Sequence, residues 1–321
     1  MLKNLSAKIR SNNIVAQYNF NCIKMKIAYI TYNGSGKYLP ANNFNEVEDL
    51  LPFLQKKGLD ITAEIWDDPG TDWEKYDIAL LKTPWDYHQK HESFRDWLNK
   101  IQAQGVQLLN DFDTVRWNMD KHYLAEIAQA GLDVIPTVFL DKGWKGDLLS
   151  LFEKLQSGKL IMKPCISAGS KQTIALYREA TPEQTAAVSA LLSESDFMVQ
   201  PFMEEIQEGE WSFVFFNNTY SHTIIKKPKA GDFRVQQIYG GSIIPVTPSP
   251  SDIEQAAAYL QPFAKQTLYA RVDGLMVNGR FMLMELELIE PFLYLSYSEG
   301  AVERYYGALK EQLGEGVRCE E

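Results

Sequence analysis

"RVDGLMVNGRFMLMELELIEP", residues 271–291, is the stretch on which the fold turns. Two apolar runs flank Asn278-Gly279, a dipeptide favoured in two-residue hairpin loops because both positions accept positive φ. The stretch is therefore predicted to be a β-hairpin. Side chains at i and i+2 share one face of a strand. Glu285 and Glu287 then point one way while Leu286 and Leu288 pack the other. Asp273, on the preceding strand, can join the two glutamates. Three carboxylates on one face repel each other and are costly to desolvate without positive charge. Mg2+ relieves such repulsion, taking oxygen ligands together with nucleotide phosphates. A solvated acidic face with lysine neighbours would leave the same pattern.

Upstream, two lysines are placed where they could supply the counter-charge. Lys163 ends the apolar strand "LIMKP" and precedes the small-residue loop "CISAGSKQ", which could fold over phosphates with its backbone N–H groups. Lys121 opens the helix predicted from "MDKHYL". Between these and the acidic hairpin lie the apolar "VQPFM" and a "GE" pair. Two long strands, "EWSFVFFNN" and "TYSHTIIKKP", are expected to pair as a hairpin, followed by a helix over residues 251–269. The second half is thus expected to be α+β with antiparallel sheets.

The first half alternates differently. "KIAYITY", "DITAEIW", "YDIALLKT" and "VQLLN" read as strands, with helices at "NEVEDLLPFLQKKG" and "HESFRDWLNKIQAQG" between them. That spacing predicts a parallel α/β domain over residues 25–115. "TPWDYHQKH" follows one of its strands, the usual place for ligand contacts in an open α/β sheet. Trp85, Asp86 and Tyr87 are therefore candidates to face a substrate; a turn in which Asp86 caps and the aromatics pack is the competing reading. "NGSGK" at 33–37 lacks the full phosphate-loop pattern. His88 and His91 have no third ligand nearby in sequence. Cys165 has no local histidine to activate it and reads as a packing residue.

Composition bounds the rest. The chain has 321 residues, net charge −10 and a pI near 5.1, which imply no general affinity for nucleic acid or anionic membrane. Its three cysteines are far apart, so neither a disulfide framework nor a zinc knuckle fits, and a cytoplasmic location is the simplest expectation. No run reaches the length of a membrane span. Residues 1–24 are polar and basic, a poor secretory signal, and are expected to be a weakly ordered extension.

Taken jointly and in order, "KP…GS", "VQPFM…GE" and "RVDG…MELELIEP" resemble the ATP-grasp superfamily, near glutathione synthetase and D-alanine–D-alanine ligase. The branch with a cyclo-ligase of cycloserine biosynthesis is the most similar, and "WDY" resembles a motif of that branch. The likeness covers residues 25–310. It implies an α/β N-terminal domain with a parallel sheet, plus an α+β two-lobed ATP-grasp module with lobes at 116–198 and 199–312 and a tail at 313–321. It implies ATP and two Mg2+ ions as cofactors. Lys121 and Lys163 would hold the α- and β-phosphates. Gln200, Phe202 and Met203 would belong to the hinge whose backbone pairs with adenine, and Glu210 would hold the ribose. Asp273, Glu285 and Glu287 match the metal ligands; Glu287 stands where the two named relatives carry asparagine. Arg271 matches an arginine that stabilises the transferred phosphoryl group. Arg234 resembles a residue on the γ- or acyl-phosphate, with Gly240 and Gly241 letting a loop approach the substrate. The function implied is an ATP-dependent carboxylate–amine ligase, working through an acyl-phosphate on a small, amino-acid-like substrate and releasing ADP and phosphate. Transfer of the phosphoryl group to a hydroxyl, or nucleotide binding without turnover, are the alternatives. A small-molecule partner and no nucleic acid or membrane partner are expected, and a homodimer is compatible with the resemblance.

Overall fold

The computed structural model describes residues 25–34, 44–169, 172–179 and 182–314. The 1–24 extension, residues 35–43 with most of "NGSGK", Ser170 and Lys171 of "CISAGSKQ", residues 180–181 and residues 315–321 of the tail lie outside the described residues.

Strand β1 (Lys26–Thr31), helix α1 (Glu46–Lys56), β2 (Asp60–Ile65), β3 (Ile78–Leu81), α2 (His91–Ala103) and β4 (Gln107–Leu109) build a parallel sheet in the order β2-β1-β3-β4. Of its central strands, β3 is buried throughout and β1 from Ile27 to Ile30, as expected where helices cover both faces. The Asn45 side chain accepts from the Val47 amide, 3.1 Å, and caps α1. On α2, Phe94, Trp97, Leu98 and Ile101 form the buried stripe.

Helices α3 (Phe112–Asn118) and α4 (Tyr123–Gln129) lead into β5 (Val138–Leu140), α5 (Leu148–Lys154), β6 (Lys159–Pro164), β7 (Ile174–Tyr177), α6 (Pro182–Leu192) and β8 (Phe197–Pro201). These strands form an antiparallel sheet ordered β5-β8-β6-β7. Lys121 does not open a helix: it sits in the turn just ahead of α4, its amide donating to Cys165 O at 3.0 Å.

A third sheet, antiparallel and ordered β11-β10-β9-β12-β13, comprises β9 (Glu210–Phe216), β10 (Thr219–Lys227), β11 (Ser242–Val246), β12 (Tyr269–Val277) and β13 (Arg280–Glu287). Asn278 and Gly279, at φ 52° and 78°, make the predicted turn, and Asn217-Asn218 makes its counterpart between β9 and β10. The helix expected over 251–269 is shorter and broken, into α7 (Pro250–Ala257) and α8 (Leu260–Phe263). Pro262 lacks the N–H that a longer helix needs, and the chain from Tyr269 is committed to β12. Helix α9 (Ala301–Leu313) packs Tyr305 and Leu309 into the core shared by the first and third sheets.

Buried polar groups bind the parallel domain to the hairpin. Asn110 donates to Tyr269 O (2.9 Å) and Leu288 O (2.7 Å) and accepts from the Leu268 amide at 2.6 Å. Asn118 donates to Leu286 O and accepts from the Leu288 amide. Glu46 takes the Lys82 ammonium at 2.8 Å and the Leu293 amide at 2.9 and 3.0 Å. Asn110→Ala would leave backbone groups buried and unpaired. We expect it to lower unfolding free energy by about 3 kcal/mol, read as a shift in urea midpoint with unchanged slope.

His222 on β10 anchors the segment after the hairpin, with Nε2 on Leu293 O at 2.8 Å and Nδ1 on Ser221 Oγ at 2.8 Å. Burial lowers its pKa from 6.5 to about 4. The unfolded chain therefore binds the extra proton between those values, and stability should fall as pH drops from 6.5 to 4, by up to about 3 kcal/mol. His222→Gln is expected to flatten the acid side of the stability–pH curve over that window.

Candidate active site

The acidic face of the hairpin depends on one irregularity. Asp273 pairs with Glu285, but Gly274 pairs with Leu283, so Met284 is an extra residue on β13. Phe281 and Leu283 are buried before this bulge, and Leu286 and Leu288 after it. Unbroken alternation would have sent Glu285 and Glu287 into the apolar layer with Phe281 and Leu283. The bulge turns them, with Met282 and Met284, to the other face. Gly274 is needed here: a Cβ would lie 2.3 Å from Met282 O.

That face opens into a cavity of about 480 Å³ with walls from all three sheets. Asp273, Glu285 and Glu287 line it, as do Lys121, Lys163, Glu210, Arg234, Arg271, Gln200, Phe202 and Met203. Trp85, Asp86 and Tyr87 line it from the parallel domain. Gly240 and Gly241 are not among its lining residues. Gly240 adopts φ 87°, and a Cβ on Gly241 would lie 2.1 Å from Val235 O. Gly240 thus supplies a left-handed turn and Gly241 a close backbone approach within the 232–241 loop, other residues of which line the cavity.

Most charges in the cavity are paired. Lys121 Nζ lies 3.1 Å from Glu285 Oε1 and donates to Ser167 O at 2.8 Å. Arg271 donates to Asp273 (Nε–Oδ1 3.0 Å, Nη2–Oδ2 2.9 Å), to Glu287, and through Nη1 to Phe292 O at 2.8 Å. Lys226 binds Glu210 and, at 3.0 Å, Asp273. Lys226 sits in "IIKKP", where nothing local distinguishes it from its neighbour Lys227; only the β9–β10–β12 register brings it to the acids. Arg234 is held by Asp232 (Nη2–Oδ2 2.8 Å) and stacks 3.9 Å from the Tyr239 centroid.

Burial and neighbours set the protonation. Burial raises the Asp273 carboxyl, but Arg271 and Lys226 outweigh it and hold the group well below the ordinary value. Burial would raise Glu285 too, and Lys121 and Lys163 bring it down. Glu287 goes the other way: burial lifts it to about 7 against the opposing Arg271. Burial lowers the Lys163 ammonium, with Glu285 opposing. The Cys165 thiol is buried and pushed up, which suits packing rather than nucleophilic work.

The apolar end of the cavity is a cluster of Ile135, Ile206, Val235 and Leu275 with Phe202, Met203, Phe233 and Met284 against it. Phe202 meets Phe233 edge-on at 6.2 Å, and Lys159 Nζ lies 3.4 Å from the Phe202 centroid. The Gln200 amide donates to Thr137 Oγ1 at 2.9 Å, and the Phe202 amide to Lys159 O at 2.9 Å. Asp86 accepts from Trp66 Nε1 (2.8 Å) and Lys90 (2.7 Å) and makes no side-chain cap. Tyr87 is buried against Phe94, while Trp85 Nε1 donates to Glu290 O at 3.2 Å.

The three predicted metal ligands do not close on a single point. Among the described residues, the group of His, Cys, Asp and Glu ligand atoms within 4.8 Å of one another is Asp120, His122 and Cys165. There the Asp120–His122 contact of 2.6 Å is a hydrogen bond within one turn. Asp273, Glu285 and Glu287 are instead each bound to a cationic side chain. The donor set is nonetheless all oxygen and fits Mg2+, because phosphates entering the cavity would compete for those same cations. No helix among the described residues is long and apolar enough to cross a membrane.

A parallel sheet followed by two antiparallel sheets, with a charge-lined cavity between them, is the architecture shared with the ATP-grasp ligases, and the similar proteins support an ATP-dependent bond-forming ligase. Its structure superposes on a D-alanine–D-alanine ligase from Bacillus anthracis complexed with ATP (TM-score 0.64, 16% identity, 92% of this chain and 98% of that one). It also superposes on the ATP-grasp ligase PsnB complexed with minimal precursor (TM-score 0.59, 13% identity, 89% and 99%). DcsG is among the relatives of this chain. Residues 27–110 match the family model described as the N-terminal domain of D-cycloserine synthetase DcsG. The chain is homologous to the cycloserine biosynthesis protein DcsG of Streptomyces lavendulae, 28% identical over 295 residues, 83% of this chain and 94% of the relative. The crystal structure of D-cycloserine synthetase DcsG aligns with TM-score 0.77 and 25% identity over 90% of this chain and 99% of that one.

Proposed function

We propose that the enzyme activates a carboxylate of a small amino-acid-like substrate with ATP, through an acyl-phosphate, and joins it to an amine-type nucleophile, releasing ADP and phosphate. The observation that carries this reading is the convergence of Lys121, Lys163 and Arg271 with Asp273, Glu285 and Glu287 in one cavity. Phe202, Met203 and the apolar cluster behind them would take the adenine, and Glu210 the ribose once Lys226 is shared with the phosphates. Lys121 and Lys163 would bind the phosphates, each as a point charge. Asp273, Glu285 and Glu287 would hold two Mg2+ ions, which supply neutralisation of phosphate charge. Arg271, which lies against both Asp273 and Glu287, would stabilise charge on the transferred phosphoryl group. Arg234, on the cavity-lining loop, would approach the activated carboxylate. No side-chain nucleophile is needed, since positioning and charge neutralisation carry the chemistry.

The test is phosphate release from Mg·ATP with a panel of amino acids and carboxylic acids. Substrate-dependent formation of ADP and phosphate in equal amounts is expected. ADP formation with a stable phosphorylated product and no free phosphate would replace the ligase reading with phosphotransfer.

A further inference from the structure

Among the described residues, six carboxylates line the cavity: Asp86, Glu210, Asp273, Glu285, Glu287 and Glu290. Five are bound to a lysine or arginine. Glu290 is the exception: among the described residues its side chain makes no hydrogen bond or ion pair, and only its backbone carbonyl is engaged, by Trp85 Nε1. We propose that Glu290 is the anchor for a cationic nitrogen of the small-molecule substrate, an ammonium received between this carboxylate and the aromatic wall of Trp85 and Tyr87. The proposal rests on the ligase reading and names the residue that selects its substrate.

An unpartnered carboxylate in a cavity wall is costly unless a ligand completes it. Burial, with the Glu287 and then the Glu285 charges adding to it, pushes the Glu290 carboxyl well above the usual range, while Lys121 and Arg271 act in the opposite sense. A cation arriving beside it would remove that penalty. The surroundings suit an ammonium. Tyr87 lies close enough for the Glu290 charge to be the main electrostatic influence on its hydroxyl, Trp85 is tied to the same residue, and Tyr32 lies 6.1 Å from Trp85. Aromatic faces and one carboxylate together favour a cationic nitrogen over a neutral one. Glu290 also lies apart from the apolar cluster assigned to adenine: it follows β13, on the side of the acids where the parallel domain closes the cavity. A substrate carboxylate near Arg271 would thus leave its amino group to Glu290.

The experiment compares free amino acids, D and L, with their N-acetyl counterparts in Mg·ATP-dependent phosphate release, using wild type, Glu290→Gln and Glu290→Asp. Wild type should respond to an amino acid at least tenfold better, in kcat/KM, than to its N-acetyl form. Glu290→Gln should raise KM for that amino acid at least tenfold, with KM for ATP and the Mg2+ dependence within twofold, and Glu290→Asp should recover part of the loss. Equal use of the N-acetyl acids, an unchanged amino-acid KM in Glu290→Gln, or a shifted Mg2+ dependence would each overturn the assignment. So would silence of the whole panel in an enzyme that binds Mg·ADP by calorimetry. Failure of wild type to bind Mg·ADP would instead strike the ligase reading itself.

Discussion

Glu285→Gln is expected to lower kcat for substrate-dependent ADP formation by about 10²–10³-fold, with a folded protein and a nearly unchanged melting temperature. Glu285 faces Asp273 across the hairpin and is held between Lys121 and Lys163. The amide keeps the shape and can accept a hydrogen bond from Lys121, so the fold loses little. It cannot supply the negative charge that a hard divalent cation requires. The loss should therefore appear with a weakened, right-shifted Mg2+ dependence rather than as a change in stability. Retained activity at ordinary Mg2+ would remove Glu285 from the proposed metal ligands.

Lys163→Met is expected to lower kcat/KM for ATP about 100-fold while leaving the unliganded protein within about 1 kcal/mol of wild type. Lys163 alternates with Leu160, Met162 and Pro164 on β6, which pack inward while it faces the cavity. Burial already disfavours its charge, and Glu285 keeps Lys121 at 3.1 Å when Lys163 is gone. Replacing a desolvated ammonium by an apolar chain of similar length is commonly near neutral for folding. Binding a phosphate is another matter, since each charge-assisted contact contributes about 2–3 kcal/mol. The clean readout is thermal: Mg·ADP at 100-fold its Kd stabilises wild type by about 2.7 kcal/mol, and Lys163→Met should lose most of that stabilisation at the same concentration. An undiminished shift would place the phosphates elsewhere.

Much of this protein was legible as pattern. Parallel strands separated by helices at regular spacing, the Asn278-Gly279 turn, and the order of lysine, loop, hinge and acidic hairpin are local signals, because strand period and turn chemistry are set by neighbours in the chain. The same logic placed Lys121, Lys163 and the three acids as candidates for one site, and the family resemblance added Arg271. It did not reach Lys226, whose importance arises from cross-strand register, nor Glu290, which reads as the end of an apolar strand. It also overextended the helix beyond Phe263.

The sequence by itself determined the classes of element, their order, and the chemistry available to the site. Only the tertiary structure decided three further things: that the bulge at Met284 turns Glu285 and Glu287 away from the apolar layer, that Lys226 and Arg271 share the charge of Asp273, and that Glu290 is left without a partner among the described residues. The physical reason is distance along the chain. Asn110 and Asn118 reach the hairpin across 150 residues or more to fix where its far end lies, and side-chain charge is settled by whichever groups that packing brings within a few ångströms.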